Sequence, residues 1–513
     1  MSFKWQREII TAGEEILAKN CEQSVELDYI LPDYYPDIFR LVKGTLNPCV
    51  VSQNISGDKI IFELSVEITV WYCGENTKAL QTITQKLNYS KTVDVGENCE
   101  NAIVKIKPRC DYINCRAVNQ RRLDIRGAAN CTLCITTKRE QNVIGDAYGA
   151  GIQLLKSAYS SASENGFAAK SFIVEDEFDL GVSKPPVLSI VRSDAVVTSV
   201  DKKQVSGRLV AKGDICVNLL YLADDGANSI ESMQFTIPFS QIIDMNDSDG
   251  GECMIDAQCS SCDITVNAND DGEQKNIKCS AMLNITAILH QSREVEIVTD
   301  AYSTEFACNT AQRQICIDAM PVRINEIHTE KENLSFDDEE TENVCGVWAS
   351  AETVSTRIEQ GTLVISGKIK WCVLAKAHES YTLFEKETVF EHICNDFGDY
   401  ENLRADISAY VTACSYTLSN SHGVTLKCDV RLCGCVVPTI CRTALTDIVI
   451  DENTKENCGD DCALKLYFAD EGEKLWDIAK KYKTSAKAVI EENDIDNACE
   501  KCSGMLMIPM VSK

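Results

Sequence analysis

Cysteine pairs are the first candidates for chemistry, because the chain holds 27 cysteines and some stand at spacings that metal sites use. Cys458-x3-Cys462 and Cys499-x2-Cys502 flank a short C-terminal segment, and four thiolates are a common set of zinc ligands. We expect that segment to begin and end with two antiparallel strands, and Cys462 and Cys502 each precede one of them. The two residues then lie about 15 Å apart at opposite ends of the strand pair. The sequence therefore predicts no metal site.

The other cysteines and the five histidines do not form a catalytic arrangement either. Cys131 and Cys134, like Cys433 and Cys435, lie in strand-like sequence with no helix N-terminus to lower a thiol pKa. The histidines are scattered singly, and the sequence contains no phosphate-binding glycine loop. We therefore expect no enzyme activity, no catalytic residue and no cofactor. An odd number of cysteines spread along a long chain is typical of a protein kept in a reducing compartment.

The stretch "GEKLWDIAKKY", residues 472–482, has the apolar spacing of a short helix close to the end of the chain. Its apolar side chains fall on one helix face. A strand at 464–468 precedes it, a second helix with Ser485 as N-cap follows, and a closing strand covers 505–508. The predicted order is strand, helix, helix and strand, which is a small α+β fold.

This segment resembles the LysM module in the order of its elements and in its residue types. The resemblance implies a core formed by Trp476, Ile478, Ala479, Tyr482, Ile490, Leu506, Ile508 and Pro509. It implies a ligand groove between two loops formed by Gly472, Glu473, Lys474, Leu475, Asn493, Asp494, Ile495 and Asp496. LysM grooves bind glycans that contain N-acetylglucosamine, but here Glu473 and Lys474 replace the usual Asp-Thr, and the second loop is long and charged. These differences favour a protein ligand over a glycan.

An internal repeat organises the part of the chain that precedes this module. The copies of a first motif begin at Gly57, Lys203 and Gln360, and those of a second motif begin at Arg121, Lys275 and Val424. Apolar residues alternate at period two in these motifs, which is typical of half-buried strands. Each repeat therefore predicts a β-sandwich or a barrel-like domain. After the second motif, "GDAY" ending at Tyr148 resembles "TDAY" ending at Tyr302.

The repeat and the composition between its copies predict the domain boundaries. We expect a partly helical N-terminal segment at 1–24, β domains at 25–150, 183–305 and 345–450, linkers at 151–182, 306–344 and 451–462, and the α+β module at 463–513. The linkers are acidic or rich in Ser, Ala and Gly, which is typical of solvated connections. The predicted protein is mainly β, with three tandem domains, the third divergent, arranged as beads on a string.

The stretch "LPDYYPD" at 31–37 leads into the strands of the first repeat. Its two prolines fix an extended or turning backbone. One interpretation is an edge that docks a partner through Pro32, Asp33, Tyr34, Tyr35, Pro36 and Asp37. The other is a staple at the strand entry that closes the sandwich. The second repeat carries the weaker copy "KPPVLSIVRSDA" at 184–195.

The charge and the apolar runs of the chain limit its partners and its location. The net charge is −28 and the sequence pI is near 4.6, and such a surface repels phosphate backbones and anionic lipids. We therefore expect no nucleic-acid partner. Charged residues interrupt every apolar run near the N-terminus, so we expect no signal peptide. No run approaches the ~18 apolar residues of a transmembrane segment.

The repeats and the LysM-like module together resemble the SPOCS-domain proteins of spore-forming Clostridia, in particular SipL-like spore coat morphogenetic proteins. The resemblance implies a non-enzymatic structural adaptor that tethers the coat to the forespore surface. It implies a location in the mother-cell cytoplasm at that surface and later in the spore coat. The implied partners are a SpoIVA-like basement-layer ATPase, bound by the LysM module, and other coat proteins. The alternative is a peptidoglycan-binding protein of the spore cortex or cell wall.

Overall fold

Alternating apolar residues produce strands over almost the whole chain. The computed structural model describes residues 3–75, 79–96, 99, 102–205, 207–245, 251–336, 341–377, 380–395, 397–398, 400–420, 423–455, 462–496 and 501–510. The first strands are β1 (Lys4–Ile30), β2 (Ile38–Ser56), β3 (Lys59–Gly74), β4 (Leu80–Asp94), β5 (Ile103–Asn119), β6 (Arg122–Tyr148), β7 (Ile152–Asp179), β8 (Val187–Val205), β9 (Arg208–Ala223), β10 (Ile230–Asp244), β11 (Glu252–Ala268) and β12 (Gln274–Ser303). They are followed by β13 (Phe306–Asp318), β14 (Val322–Ser335), β15 (Thr341–Glu359), β16 (Thr362–Ala377), β17 (Ser380–Cys394), β18 (Asn402–Asn420), β19 (Gly423–Lys455), β20 (Leu464–Lys474) and β21 (Lys501–Pro509). The helices described are α1 (Leu475–Lys481) and α2 (Ala486–Glu492), and neither has the length and apolar run that a bilayer crossing requires.

The same arrangement of six strands is built twice, and a variant of it is built once. In the first unit, β1–β6, one sheet has the order β2-β3-β4 and the other β1-β6-β5. The second unit, β7–β12, repeats this with β8-β9-β10 and β7-β12-β11. In the third unit, β13–β19, one sheet is β15-β16-β17, while β13, β14 and β18 all pair with β19. The mainly β fold class is confirmed, and the sheets of the described residues stay open rather than closing into a barrel.

Each unit buries an apolar core between its two sheets, as in a β-sandwich. On β3, Ile60 and Phe62 alternate with exposed residues and are buried together with Leu133 of the opposite sheet. Tyr221 lies in the equivalent core of the second unit, and Trp371 lies in that of the third. The period-two pattern of the sequence therefore has a direct structural cause, because every second side chain points into the core.

The three units also share apolar cores with one another. One such cluster takes two residues from each of β6, β12 and β19, namely Ile144, Ala147, Val298, Ala301, Leu445 and Ile448. These positions are equivalent in the repeat, so the same part of each unit meets in one shared core. The expected beads on a string are therefore wrong: the units form one packed body.

Trp71 lies in a second shared core and contacts all three units. Its indole N–H donates a hydrogen bond to the Val191 carbonyl of the second unit at 3.0 Å. Its ring meets the edge of Trp348 of the third unit, with ring centroids 5.7 Å apart. The guanidinium of Arg192 covers the other ring of this pair, 4.9 Å from the Trp348 centroid. A single side chain thus joins the three repeats.

An ion pair of the third unit, with a buried carboxylate, binds the backbone of the first unit. Arg404 donates to both carboxylate oxygens of Asp318, at 2.8 and 3.0 Å, and to the Gly13 carbonyl at 2.7 Å. The Gly13 N–H donates to Asp318 at 2.7 Å. A Cβ at Gly13 would lie 2.5 Å from Arg404 Nη2, so a larger residue here would displace the guanidinium from its present position. His290 of the second unit lines the same small cavity, and burial lowers its pKa to about 4.

The N-terminal segment is a strand, so the partly helical segment predicted for 1–24 is wrong. β1 pairs with β6 along its whole length, from Lys4 opposite Tyr148 to Ile30 opposite Arg122. Register shifts interrupt the pairing at two places in the first 17 residues. Such β-bulges break the period-two alternation by which a strand is recognised in a sequence.

The linker predicted at 151–182 is also a strand, because β7 fills most of it. Its small residues lie on a sheet edge, and β7 pairs antiparallel with β12. Phe172, Val174 and Phe178 alternate along it and pack against the core of the second unit. Their spacing is the strand signal that the Ser- and Ala-rich composition concealed.

The acidic linker predicted at 306–344 contains β13, β14 and the start of β15. Ile315 and Ile317 of β13 are buried in a core shared by the units. β13 and β14 both pair with β19, and together they take the place that β1 has beside β6 in the first unit. Pro321 lies between the end of β13 and the start of β14. Of the linker predicted at 451–462, the first residues belong to β19, and 456–461 lie outside the described residues.

Candidate functional site: the C-terminal region

The elements β20, α1, α2 and β21 form a small region at 464–510, which we call the C-terminal region. β20 pairs antiparallel with β21, and the pairing is interrupted before Glu473. Gly472, in this interruption, has a φ of +87°, a left-handed conformation that glycine adopts without strain. The predicted N-cap Ser485 is confirmed, because its hydroxyl accepts a hydrogen bond from the Ala488 N–H at 3.0 Å. The likeness of this region to LysM stays a prediction.

The predicted core residues of the C-terminal region are buried or half-buried. The fully buried ones are Ile478, Ala479, Leu506 and Ile508, and the half-buried ones are Trp476, Tyr482, Ile490 and Pro509. Leu475, which the sequence placed in the ligand groove, is also buried in this core. Its side chain therefore supports α1 and is not available to a ligand.

Glu473, a predicted groove residue, is used within the C-terminal region. Its carboxylate accepts the Tyr467 hydroxyl at 2.8 and 3.0 Å and the Asp470 N–H at 3.2 Å. The adjacent Lys474 is exposed and immediately precedes α1. On this loop the lysine is thus more available to a partner than the glutamate is.

In the second predicted groove loop, Asn493 ties α2 to β21. Its side-chain amide donates to the Val489 carbonyl at 2.8 Å and to the Met507 carbonyl at 2.6 Å, and its oxygen accepts the Met507 N–H at 2.7 Å. Asp494 has a φ of +52° and is exposed, as is Asp496, while Ile495 packs against the core. The remainder of this loop, 497–500, lies outside the described residues.

The outer face of the strand pair β20–β21 is apolar and exposed, a feature that the sequence analysis missed. Leu466 lies opposite Met507, and Phe468 lies opposite Met505, in the register of the two strands. Phe468 is 73% exposed and Leu466 is 66% exposed. Alternation along β20 could have revealed this face, because Leu464 shares the same period-two side.

The C-terminal region is attached to β12 of the second unit through Asp300. The carboxylate of Asp300 accepts the Trp476 indole N–H at 2.8 Å. It also accepts the Lys480 ammonium at 2.7 and 2.8 Å. Trp476 and Lys480 lie one helical turn apart on α1, so both reach the same carboxylate.

Tyr302 completes this attachment. Its hydroxyl donates to the Thr484 carbonyl at 2.6 Å, and its ring meets Trp476 with centroids 4.9 Å apart. Tyr302 is 2% exposed, and burial with the nearby Asp300 charge raises the pKa of its hydroxyl. The "TDAY" motif, noticed in the sequence as a repeat, is thus the docking site of the C-terminal region.

The cysteines that flank the C-terminal region do not come together where they are described. Cys462 is exposed beside the end of β21, and Cys502 is buried at the other end of the strand pair. Cys458 and Cys499 lie outside the described residues. Within the described residues, no three His, Cys, Asp or Glu side chains are grouped closely enough to hold a metal ion. Burial raises the pKa of Cys131 to about 11, the reverse of what a reactive thiolate needs.

The turn at 32–37 is held in place by Arg121. Its guanidinium donates to Asp37 at 2.8 Å and to carbonyls of the turn at 2.7–3.0 Å. These contacts are those of a staple at the strand entry. Tyr34 projects outward and is 80% exposed, and Asp33 is exposed beside it. A docking edge here remains a prediction that rests on these two side chains.

Equivalent tyrosines close the proline turns of the first and second units. Tyr72 donates its hydroxyl to the Pro36 carbonyl at 3.0 Å, and Tyr221 donates to the Pro185 carbonyl at 3.2 Å. Both rings are fully buried. Tyr72 and Tyr221 lie in the same motif of the first and second repeats, and they therefore have one structural role.

Comparison with known families identifies two of the repeats. The family described as SipL, SPOCS domain, matches residues 37–118 and 186–267. These ranges cover β2–β5 and β8–β11, which are equivalent parts of the first and second units. No curated protein and no solved structure matches the chain. The third unit and the C-terminal region lie outside the match, so the chain is similar to the SipL SPOCS domain in these two regions.

Proposed function

We propose that this SipL-like protein is a non-enzymatic structural adaptor in spore coat assembly. The observation that carries the proposal is the match of two regions to the SipL SPOCS domain, because it makes sporulation the relevant process. The adaptor would act in the mother-cell cytoplasm at the forespore surface and join the coat to that surface by binding other coat proteins.

The packing of the three units supports an adaptor role. Shared apolar cores fix the units relative to one another, so surfaces on different units keep set positions. Several weak contacts made by one body give a strong total attachment without any chemical step. The exposed Tyr34 on the first unit and the apolar face of the C-terminal region are two such surfaces.

A SpoIVA-like basement-layer ATPase is the partner that we assign to the C-terminal region. Leu466, Phe468 and Met505 are exposed together on β20–β21, and grouped apolar side chains of this size are typical of protein interaction sites. Lys474 on the adjoining loop is exposed as well and offers a charge to a carboxylate of the partner. Both features favour a protein surface over a sugar.

The test measures capture of the full chain on a purified SpoIVA-like protein and, separately, on peptidoglycan sacculi. Two variants are compared with the unchanged chain: Phe468→Glu on the apolar face and Lys474→Ala on the loop. Val389→Glu is the matched control, because Val389 is an equally exposed strand residue on another unit. We expect Phe468→Glu to lower capture by the protein at least tenfold, Lys474→Ala to lower it less, and Val389→Glu to leave it unchanged.

The sacculi distinguish the adaptor from the alternative function. Capture on sacculi that is lost with Lys474→Ala, together with no capture on the SpoIVA-like protein, would establish a peptidoglycan-binding protein instead. Equal capture of all four chains on the SpoIVA-like protein would show that the C-terminal region is not the binding surface.

A further inference from the structure

Three β-bulges stand at equivalent positions near the ends of β6, β12 and β19. The residues that they leave unpaired are Gly145, Thr299 and Thr446, and the aspartates that follow are Asp146, Asp300 and Asp447. Each aspartate accepts a hydrogen bond from the next backbone N–H, at 2.9, 2.9 and 3.0 Å respectively. The same local shape is therefore built once in each unit.

Only the second of these positions carries the C-terminal region in the described structure. There, Asp300 accepts Trp476 and Lys480, and Tyr302 donates to the Thr484 carbonyl. The contacts are chemically specific. A carboxylate accepts hydrogen bonds from an indole N–H and an ammonium group. A phenol packs its ring against the indole ring and donates its hydroxyl to a backbone carbonyl.

The first position has the same residues in the same places and leaves them about half exposed to solvent. It reads Asp146, Ala147, Tyr148, as the second reads Asp, Ala, Tyr. Tyr148 is 47% exposed, whereas Tyr302 is 2% exposed. The Asp146 side chain is 50% exposed and lies 3.0 Å from Lys156. A half-exposed carboxylate of this kind can accept further donors beside that lysine.

The third position lacks the phenol. Val449 stands where the other two have tyrosine and is 55% exposed, so neither the ring contact nor the hydroxyl is available there. The three units therefore provide one occupied position, one open position with matching residues, and one position that cannot make the contact.

We propose that Asp146 and Tyr148 form a second docking position, which binds the C-terminal region of another copy of this chain. The C-terminal region is the occupant because its Trp476 and Lys480 match this pair of side chains, as they match Asp300 and Tyr302. A second copy is needed because each chain has one C-terminal region, and that region is already bound to its own second unit.

Docking within the chain and docking between chains then compete for the same face of α1. A tether gives the internal site an effective concentration of about millimolar, so separate molecules exchange partners only when they are crowded or when the internal contact is weakened. Self-association of the chain should accordingly increase when Asp300 is changed and decrease when Tyr148 is changed.

The experiment measures the self-association of full chains by sedimentation equilibrium. We expect Asp300→Asn, which weakens the internal contact, to lower the dissociation constant for self-association at least tenfold relative to the unchanged chain. Adding Tyr148→Ala to Asp300→Asn should raise it again at least tenfold. Adding Val449→Ala instead is the matched control, at the equivalent position without the phenol, and should change it less than twofold.

Two outcomes would overturn the proposal. Association of the Asp300→Asn chain that is insensitive to Tyr148→Ala would place the contact elsewhere. An Asp300→Asn chain that stays monomeric up to millimolar concentration would show that no second copy docks at this position. Tyr302→Phe, which removes only the hydroxyl bond to Thr484, repeats the test with a smaller change should Asp300→Asn fail to fold.

Discussion

The three repeat units and the C-terminal region are held in place by different kinds of contact. The units share buried apolar cores, and in one of these cores the single side chain of Trp71 contacts both neighbouring units. The C-terminal region is attached through the polar contacts of Asp300 and the single ring of Tyr302. Opening a packed core exposes all of its apolar surface, whereas an attachment made mainly by two side chains exposes much less and opens at lower cost. The comparison indicates a permanent body with a detachable region.

The largest expected effect comes from Trp71→Ala in the core shared by the three units. Truncating a buried tryptophan costs about 3–5 kcal/mol of unfolding free energy, because it removes packing and leaves a cavity. Here it also leaves the Val191 carbonyl without its hydrogen-bond donor. We expect a lower denaturation midpoint for the whole body, measured by chemical unfolding.

Val51→Ala is the control for Trp71→Ala, because Val51 is an exposed residue of the same unit. It should leave the midpoint unchanged. If Trp71→Ala instead unfolded the first unit at a midpoint separate from that of the others, the units would be independent and the shared core would not couple them.

Acid should weaken the same body through His290. Its pKa in the folded protein is about 4, against 6.5 for the free side chain, because burial disfavours the charged form. Between these values the unfolded chain binds a proton that the folded chain does not, so stability falls as the pH is lowered from 6.5 toward 4. We expect the melting temperature to fall from pH 7 to pH 5, and to fall less in His290→Gln, measured by calorimetry.

Nearby charges also act on the pKa of His290, in both directions. Asp318 opposes the lowered pKa, while Arg404, Lys105 and Lys138 reinforce it. Changing the exposed Glu294 to Gln should not alter the slope with pH. An identical slope for His290→Gln and the unchanged chain would assign the acid sensitivity to carboxylates instead.

Tyr302→Ala should affect the attachment of the C-terminal region and leave the shared cores intact. It removes the hydroxyl bond to Thr484 and the ring contact with Trp476, worth about 1–3 kcal/mol in opening free energy. We expect hydrogen exchange in α1 to accelerate roughly 10- to 100-fold with the body's unfolding midpoint unchanged. Tyr148→Ala, at the equivalent exposed position, should leave exchange in α1 as it is at dilute concentration.

Strands of the repeats could be predicted where apolar and polar residues alternate without interruption, and they were missed where this alternation is broken or absent. The β3 pattern is local, since Ile60 and Phe62 face the core of their own sandwich. β7 has no such local evidence over most of its length, and its partner β12 lies far along the chain, with Asp179 opposite Asn276 and Ile152 opposite Ser303. Small and polar residues on an edge strand have the same composition as a linker, so over those residues only the pairing distinguishes a strand from a linker.

The candidate site was predictable in its secondary structure and not in its contacts. Ser485 could be assigned as an N-cap from its place before a helical stretch. Trp476 was assigned to the core, but its indole N–H also donates a hydrogen bond to Asp300, which lies 176 residues earlier in the chain. The repeat of "GDAY" and "TDAY" pointed to these residues, but no physical feature of the two motifs explains why Tyr302 is buried and Tyr148 is half exposed.

The smallest expected effect is confined to the C-terminal region and comes from Ser485→Ala. Its hydroxyl accepts the Ala488 N–H at 3.0 Å at the start of α2, a helix of seven residues with no acidic residue in its first turn. Loss of an N-cap costs about 1 kcal/mol, so exchange in α2 should increase roughly fivefold with the shared cores unaffected. Lys487→Ala on the exposed face of the same helix is the control and should change exchange very little. A fall in the stability of the whole body with Ser485→Ala would mean that the C-terminal region and the three units unfold together, and that the region is not detachable.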